Sequence, residues 1–210
     1  MPQLLDKTIE ILSVKHLRGP NMWTYHPVIE VWLDIGELEE FPSNLIPGFY
    51  DRLVKALPSL QEHRCSYGEA GGFLKRVEEG TWPAHILEHL TLELQNLAGI
   101  PGGFGKARDG DRRGVYKVMV SAINEEVTLT ALKYARDLYL ALAQDTQDPV
   151  ALVSKILEEL RELGDDLLLG PSTACIVNAA EERGIPSIRL SEGNLVQLGY
   201  GSKQRRIWTA

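Results

Sequence analysis

The residues of this sequence best suited to chemistry are the two histidines and the glutamate of the segment HILEH, residues 85–89. Histidines four residues apart lie on the same face of an α-helix, about one turn apart. Both imidazoles could then bind one zinc ion at roughly 2.0–2.1 Å. Glu88 follows His85 by three residues and borders that face, so its carboxylate could take a proton from a zinc-bound water. The segment therefore indicates a candidate hydrolytic metal site.

Such a site needs a third protein ligand and keeps one position open. The order His-x-x-Glu-His is that of the inverzincin metallopeptidases, which resemble this chain further in taking a third ligand, a glutamate, from a downstream helix. Glu126, or Glu125 beside it, fits this role because both open the next long predicted helix. Glu93 is a further option, but it lies a turn along the same helix as His89. The alternative interpretation is a buried helix with structural histidines and a Glu88 that forms a surface ion pair.

The elements that must position these residues can be predicted from the pattern of apolar residues. Residues 83–98 form the strongest predicted helix, since Pro83 suits a first turn, leucines recur along one side and Gly99 ends the segment. Helical spacing predicts further helices over 49–57, 72–79, 124–144 and 150–163. Alternation of apolar and polar residues predicts strands over 8–15 and 28–35, which pair as a hairpin, and a third strand is predicted over 115–123. This order predicts an α+β domain, an antiparallel sheet with helices on one face.

A change to polar and charged composition near residues 145–149 precedes a second, shorter unit. There a helix and the short strand 187–190, connected by Gly184-Ile185-Pro186, are typical of an α/β unit. We place the domains at 1–163 and 164–210. The second stretch is too short for a stable domain of its own. It is therefore expected to be incomplete, and the chain to be a fragment of a longer protein.

Composition and charge exclude several classes of protein. The chain is 44% hydrophobic and 24% charged, as ordinary globular proteins are, and its net charge of −7 disfavours binding to nucleic acid. Cys65 and Cys175 match no metal or redox spacing and are predicted to be free thiols in a reducing cytoplasm. The amino terminus does not read as a signal peptide, and no apolar stretch suits a membrane span. We expect a cytoplasmic protein with neither nucleic acid nor membrane as a partner.

The glycine-rich segment 100–114 is predicted to be a loop that carries four cations: Lys106, Arg108, Arg112 and Arg113. Backbone N–H groups together with these cations could bind an anion. A mobile, solvated loop is the alternative. Arg18, beside the turn at residues 19–21, could line a substrate groove or simply belong to a structural turn.

Several blocks, spread over nearly the whole chain, resemble successive blocks of the cyanophycin synthetase family. Those of its amino-terminal region are LRGPN (17–21), SNLIPGFYDRLVKALPSLQEH (43–63), GGFLKRVEEGTW (71–82), HILEHLTLELQNLAGIP (85–101) and GPSTACIV (170–177). Two further blocks resemble the entry into its ATP-grasp module: RGIPSIRL (183–190) and LVQLGYGSKQRRIWTA (195–210). The ordered set is specific, although no single block is.

The resemblance implies a ligase of three parts: this amino-terminal domain, an ATP-grasp domain and a Mur-ligase-like domain. Such an enzyme polymerises L-aspartate and L-arginine into the storage polymer multi-L-arginyl-poly-L-aspartate. The ATP-grasp part would add aspartate to the backbone and the Mur-like part arginine to the aspartate side chain, both with ATP and magnesium. The sequence contains no Walker-type Gly-Lys-Ser/Thr loop, and the ATP-grasp ligands are expected beyond it. This segment alone is therefore not expected to ligate.

For this segment the resemblance implies binding of polymer or primer within a homo-oligomer, a dimer or a tetramer. The polymer carries both signs of charge, so Arg18 and the cations of segment 100–114 become candidate polymer contacts. Some family members are thought to contain a hydrolase-like site that cuts polymer into primers, which agrees with a zinc site at residues 85–89. A non-catalytic scaffold that binds polymer and mediates oligomerisation is the third interpretation.

Overall fold

The computed structural model describes residue 4 and residues 6–191 and 193–209 of the chain. The chain forms two compact units, Met1–Arg161 and Glu162–Ala210. The division falls within a helix, a short distance after the change of composition near residues 145–149. All residues proposed to do chemistry belong to the first unit.

The first unit is built on a four-stranded sheet with the strand order β1-β2-β4-β3. Its strands are β1 (Glu10–Leu17), β2 (Val28–Asp34), β3 (Gly105–Asp109) and β4 (Val115–Ser121). Every pairing is antiparallel. The predicted β1–β2 hairpin is confirmed, with Val14 opposite Val31. Alternation over residues 28–35 identified β2, although most of its residues, on both faces, are buried.

Strand β3 corrects the prediction for segment 100–114. Its residues pair with β4, Lys106 opposite Met119 and Arg108 opposite Lys117, where the sequence predicted a loop throughout. The segment has the glycines and charges of a loop. It forms a strand because β4 pairs with it, and the strand propensity of a segment depends strongly on its neighbours. Among the described residues β3 pairs with β4 alone, so it is an edge strand of this sheet.

The helices of the first unit follow the predicted ranges closely. They are α1 (Phe49–Ala56), α2 (Gly72–Glu79), α3 (Pro83–Leu97), α4 (Glu125–Gln144) and α5 (Pro149–Leu167), the last of which continues into the second unit. Helix α4 begins where Asn124 accepts hydrogen bonds from the N–H groups of Glu126 and Val127, as a good N-cap does. Within the described ranges, no helix combines the length and the apolar character needed to cross a membrane.

The core lies on the face of the sheet that carries Ile29, Val31 and Leu33, and these side chains are fully buried. Helices α3 and α4 contact the sheet and each other. The predicted arrangement of an antiparallel sheet with helices is thus confirmed. Helix α3 is buried around nearly its whole circumference. A helix in this position brings any polar side chain it carries into a desolvated environment.

The second unit contains α6 (Pro171–Glu181) and the strands β5 (Ser187–Arg189), β6 (Leu195–Leu198) and β7 (Arg205–Trp208). These strands form an antiparallel sheet in the order β5-β6-β7. An α/β unit pairs its strands in parallel, which requires crossovers of a dozen residues or more. The connections here are shorter, so the described residues of this unit do not form the α/β arrangement expected from the sequence.

Candidate functional site

A cavity of about 550 Å³ lies between the amino-terminal half of α3, the edge strand β3 and the turn at residues 65–67. Its walls include Cys65, His85, Glu88 and His89 and every residue of β3. Cavities of this size are typical of ligand sites. The structure therefore places the predicted motif at a concave site, open to a ligand.

The turn that carries Cys65 is held by close backbone packing. Cys65 has a positive φ of 53°, which few residues other than glycine adopt, and Gly68 ends the turn with a φ of 74°. A Cβ atom on Gly72, at the start of α2, would lie 2.0 Å from the carbonyl oxygen of Arg64. The absence of a side chain at Gly72 therefore lets the turn pack on α2 and places Cys65 over α3.

Cys65, His85 and His89 form a cluster of potential metal ligands. Their donor atoms all lie within 4.8 Å of one another, and no other such group of three occurs in the described part of the chain. The Sγ atom of Cys65 is 3.1 Å from Nε2 of His85. Nδ1 of His85 is 2.9 Å from the hydroxyl of Thr81, which orients this ring. A thiolate with two imidazoles is a donor set that suits zinc.

A second layer of polar groups supports His89. Its Nδ1 is 2.9 Å from Nδ1 of His63, whose Nε2 is 2.7 Å from the carboxylate of Glu93. The hydroxyl of Ser59 donates to the same carboxylate. Partners of this kind fix the orientation and tautomer of a ligand histidine. The Nε2 atom of His89 is 4.0 Å from Oε1 of Glu88, on the cavity side.

Burial keeps the two motif histidines neutral. It lowers the pKa of His85 to about 4, with a smaller effect from the positive charge of Arg76. It also lowers the pKa of His89 to about 2, assisted by His85 and His63. A neutral imidazole is the form that binds a metal ion. Both histidines are therefore ready to bind a cation at pH 7.

Glu88 is only 8% exposed, so it does not form the surface ion pair of the alternative interpretation, whereas the structural role of the histidines stays a prediction. Burial raises its pKa to about 7, although a hydrogen bond from the N–H of Ala107 and the charges of Arg108 and Lys106 oppose this effect. A carboxyl group with such a pKa exchanges protons readily near neutral pH. Glu88 thus has the environment of a general acid or base.

The acidic residues expected to complete the metal site lie in other surroundings. The carboxylate of Glu125 binds the guanidinium of Arg18 at 2.9 Å and lies 3.2 Å from Nδ1 of His16. Glu126 is exposed, and within the described chain neither residue belongs to the group around the motif histidines. The start of α4 follows the end of β4 and meets the end of β1, away from that group. The structure brings Cys65 there instead.

Glu93 also departs from the ligand role considered for it, because its carboxylate is held by His63 and Ser59. Burial raises the pKa of Glu93, but the hydrogen bonds from these two residues outweigh burial, and the pKa ends below its usual value. Glu93 is therefore a charged partner behind His89. Its place in the structure is in the second layer around the cluster.

The candidate cations of segment 100–114 divide into two pairs. Lys106 and Arg108 line the cavity beside Glu88. Arg112 binds the carboxylate of Asp34 at 3.0 Å, and Arg113 binds Glu40. The second pair borders an adjoining cavity of about 490 Å³, which shares Trp82, Asp109 and Tyr116 with the first. Of the four cations of this segment, Lys106 and Arg108 thus share a cavity with the motif residues.

Sequence reasoning missed Cys65, His63 and Thr81. Both cysteines are free thiols, as predicted, but Cys65 is not isolated as its sequence spacing suggested. Twenty residues separate it from His85, and no local spacing rule connects the two. The glycines at 68, 71 and 72 were the available signal, because they permit the tight turn that packs Cys65 onto α3.

Comparison with known proteins shows which family this chain matches. The family described as "Cyanophycin synthase-like N-terminal domain" matches residues 30–144. The chain is 46% identical over 201 residues to cyanophycin synthetase from Trichormus variabilis and 45% identical over 201 residues to that from Synechocystis sp.. Each alignment covers 95% of this chain and 22% or 23% of the relative. The chain thus spans less than a quarter of the length of these curated relatives.

Proposed function

The chain belongs to the cyanophycin synthase-like N-terminal domain family, and on that premise we propose that it binds the polymer or primer of a cyanophycin synthetase. The complete enzyme in this proposal is a cytoplasmic homo-oligomeric ligase. It joins L-aspartate and L-arginine with ATP and magnesium, at sites outside this chain. Binding the polymer close to those sites would raise the local concentration of chain ends.

The observation that carries this proposal is the mixed charge of the larger cavity. Arg76, Lys106 and Arg108 contribute positive charge to its walls, and Asp109 contributes a carboxylate. A polymer of aspartate and arginine presents carboxylates and guanidinium groups, which pair with side chains of opposite sign. Arg18, Arg112 and Arg113 remain candidate contacts in the proposal, although a carboxylate already binds each of them.

Two double variants of equal charge change test this assignment. Lys106→Ala with Arg108→Ala removes two of the three cavity cations, whereas Arg112→Ala with Arg113→Ala removes cations that are already paired. We expect the first pair to weaken binding of a soluble oligomer of the polymer by about tenfold or more, or about 1.4 kcal/mol, in isothermal titration calorimetry. The second pair should change it much less. An equal loss in both would mean that affinity depends on net charge and not on this cavity.

A second candidate function is zinc-dependent hydrolysis of the polymer, which would generate primers. The specific observation in its favour is the cluster of Cys65, His85 and His89, with Glu88 on the same cavity wall. The three cluster residues would hold the ion, and a fourth position would be left for a ligand. A zinc ion would supply Lewis-acid activation of water at neutral pH. Glu88 would accept the proton of that water and pass it to the leaving amine.

Elemental analysis of the purified chain tests the metal site. We expect close to one zinc per chain, lost in His85→Ala and in Cys65→Ala and retained in Cys175→Ala, the matched variant of the exposed thiol. Polymer cleavage should then disappear in Glu88→Gln while the zinc remains. Parent protein without zinc would leave the histidines with a structural role and this segment with polymer binding alone. Cleavage that survives Glu88→Gln would contradict the hydrolytic mechanism.

A further inference from the structure

The edge of the four-stranded sheet at β3 carries main-chain groups that point away from β4. The carbonyl of Phe104 accepts from the N–H of Ser121, and the N–H of Gly110 donates to the carbonyl of Val115. In an antiparallel pair, hydrogen-bonded residues alternate along each strand. The residues of β3 whose main chain points outward are therefore Gly105, Ala107 and Asp109. The hydrogen bond from the N–H of Ala107 to Glu88 agrees with this assignment.

All five residues of β3 line the larger cavity, the three with an outward main chain among them. The edge approaches α3 closely, because a Cβ atom on Gly105 would lie 2.7 Å from Cγ of Glu88 and 2.8 Å from Cδ1 of Leu92. The middle of the edge is satisfied by side chains. Glu88 accepts from the N–H of Ala107, and the guanidinium of Arg108 donates to the carbonyl of Ala107 at 2.7 Å.

An exposed edge strand is a template for pairing with another extended chain. Proteins use this property to bind peptides, in which case main-chain hydrogen bonds give affinity and the side-chain pockets give specificity. The main chain of poly-L-aspartate is a polypeptide, so it can form such a ladder. Its side groups would alternate in direction, one set toward Lys106 and Arg108 and the other toward the opposite wall. Both signs of charge on the polymer then find partners in the cavity.

We propose that the aspartate backbone of the polymer docks on β3 as an additional strand, with main-chain hydrogen bonds to Gly105 and Asp109. This inference rests on the proposed polymer binding and states which atoms do the binding. A chain docked here runs past Glu88 and the Cys65, His85 and His89 cluster. A strand held by these hydrogen bonds places one of its amide groups near that carboxyl group, so the same docking would serve either retention of the polymer or its cleavage.

Ligands that differ only in their main chain test the proposal without any change to the protein. The probe is a short aspartate oligomer with arginine on each side chain. One analogue has every second amide N-methylated, and another has every amide N-methylated. A strand has hydrogen-bonding groups on two edges, so the first analogue keeps one intact edge and should bind like the unmodified oligomer. The second has every main-chain amide methylated and so no main-chain N–H donor, and its dissociation constant should rise about tenfold or more.

A matched pair of protein variants tests the same ladder from the other side. Asp109→Pro removes the N–H that points away from β4, at an edge position where proline is tolerated. Asp109→Ala removes the same side chain and keeps the N–H. We expect Asp109→Pro to bind the oligomer about three- to tenfold more weakly than Asp109→Ala, the loss for one hydrogen bond. Circular dichroism establishes that both variants are folded. If the proline variant is not folded, the methylated ligands decide alone.

The possible outcomes separate this inference from the proposed function. Strong loss on full methylation, together with weaker binding by Asp109→Pro than by Asp109→Ala, supports strand docking. Equal binding of all three ligands overturns strand docking and leaves polymer binding through side chains intact. Equal binding by two folded Asp109 variants does the same. A parent chain that binds no oligomer overturns both the inference and the polymer-binding proposal on which it rests.

Discussion

Replacing Gly72 by alanine tests whether the packing of α2 on the preceding turn holds Cys65 against His85. A Cβ atom at this position would lie 2.0 Å from the carbonyl oxygen of Arg64 and 2.9 Å from Cβ of Tyr67. The oxygen belongs to the main chain and cannot rotate away. The turn and α2 must therefore separate by more than about 1 Å to restore a normal contact of roughly 3.3 Å, and we expect the turn to be the part that moves. Such a movement would take Cys65 away from His85.

The expected cost follows from two opposing effects. Insertion of a methyl group into a closely packed site costs about 1–3 kcal/mol, and a clash with main-chain atoms belongs at the upper end. Alanine also reduces the conformational entropy of the unfolded chain, which raises the free energy of unfolding by up to about 1 kcal/mol. We therefore expect the free energy of unfolding to fall by about 2 kcal/mol in Gly72→Ala. The matched control is Gly103→Ala, where an added Cβ atom meets nothing within 4 Å.

Urea unfolding followed by tryptophan fluorescence measures this difference. The background variant Trp208→Phe removes the exposed tryptophan of the second unit, so the remaining signal reports on the first. Alkylation of Cys65 in a Cys175→Ser background provides an independent readout. We expect labelling to be several-fold faster in Gly72→Ala, because the displaced turn exposes its half-buried thiol.

Equal stability of Gly72→Ala and Gly103→Ala would refute the packing argument. An unchanged rate of Cys65 labelling in a destabilised Gly72→Ala would refute only the link between this packing and the site. In that case the clash would be relieved by movement of α2 and not of the turn.

Three further predictions concern stability. Asn124→Ala removes the N-cap of α4 and should lower the free energy of unfolding by about 1 kcal/mol. Asn124→Asp keeps an acceptor at this position, so it should change the free energy of unfolding by less than half of that in the same assay. Ser43→Ala should lower the free energy of unfolding by about 1–3 kcal/mol, because the buried Ser43 hydroxyl donates to a carbonyl at the end of α2 and accepts from the N–H of Thr81. A decrease below about 0.5 kcal/mol would show that water replaces the hydroxyl. In metal-free protein, burial holds the pKa values of His85 and His89 at about 4 and about 2, while the unfolded chain takes up protons at about 6.5. Each histidine should therefore lower the free energy of unfolding by about 2 kcal/mol as the pH falls from 7 to 5. His85→Gln should reduce the pH-dependent loss by that amount, and an unchanged pH dependence would contradict the burial argument.

Local structure was determined by the sequence to a large extent. Pro83 and the leucine spacing predicted α3 to within one residue of its observed end, and the histidine spacing placed both imidazoles on one side of it. Alternation predicted β1 and β2 and their pairing. These features depend on residues close together in the chain, where periodicity and end signals act directly.

The composition of the site, by contrast, was decided only by the tertiary structure. Cys65 reaches α3 through a turn whose shape depends on glycines, and His63 reaches it from the segment just before that turn. No spacing rule connects either residue to the histidines of α3. The edge character of β3 depends on which strands pair, and segment 100–114 has the composition of a loop. Glu125 binds Arg18 because the sheet brings the start of α4 beside the end of β1. In each case the partner is distant in sequence, so the contact is set by packing and strand pairing and not by local pattern.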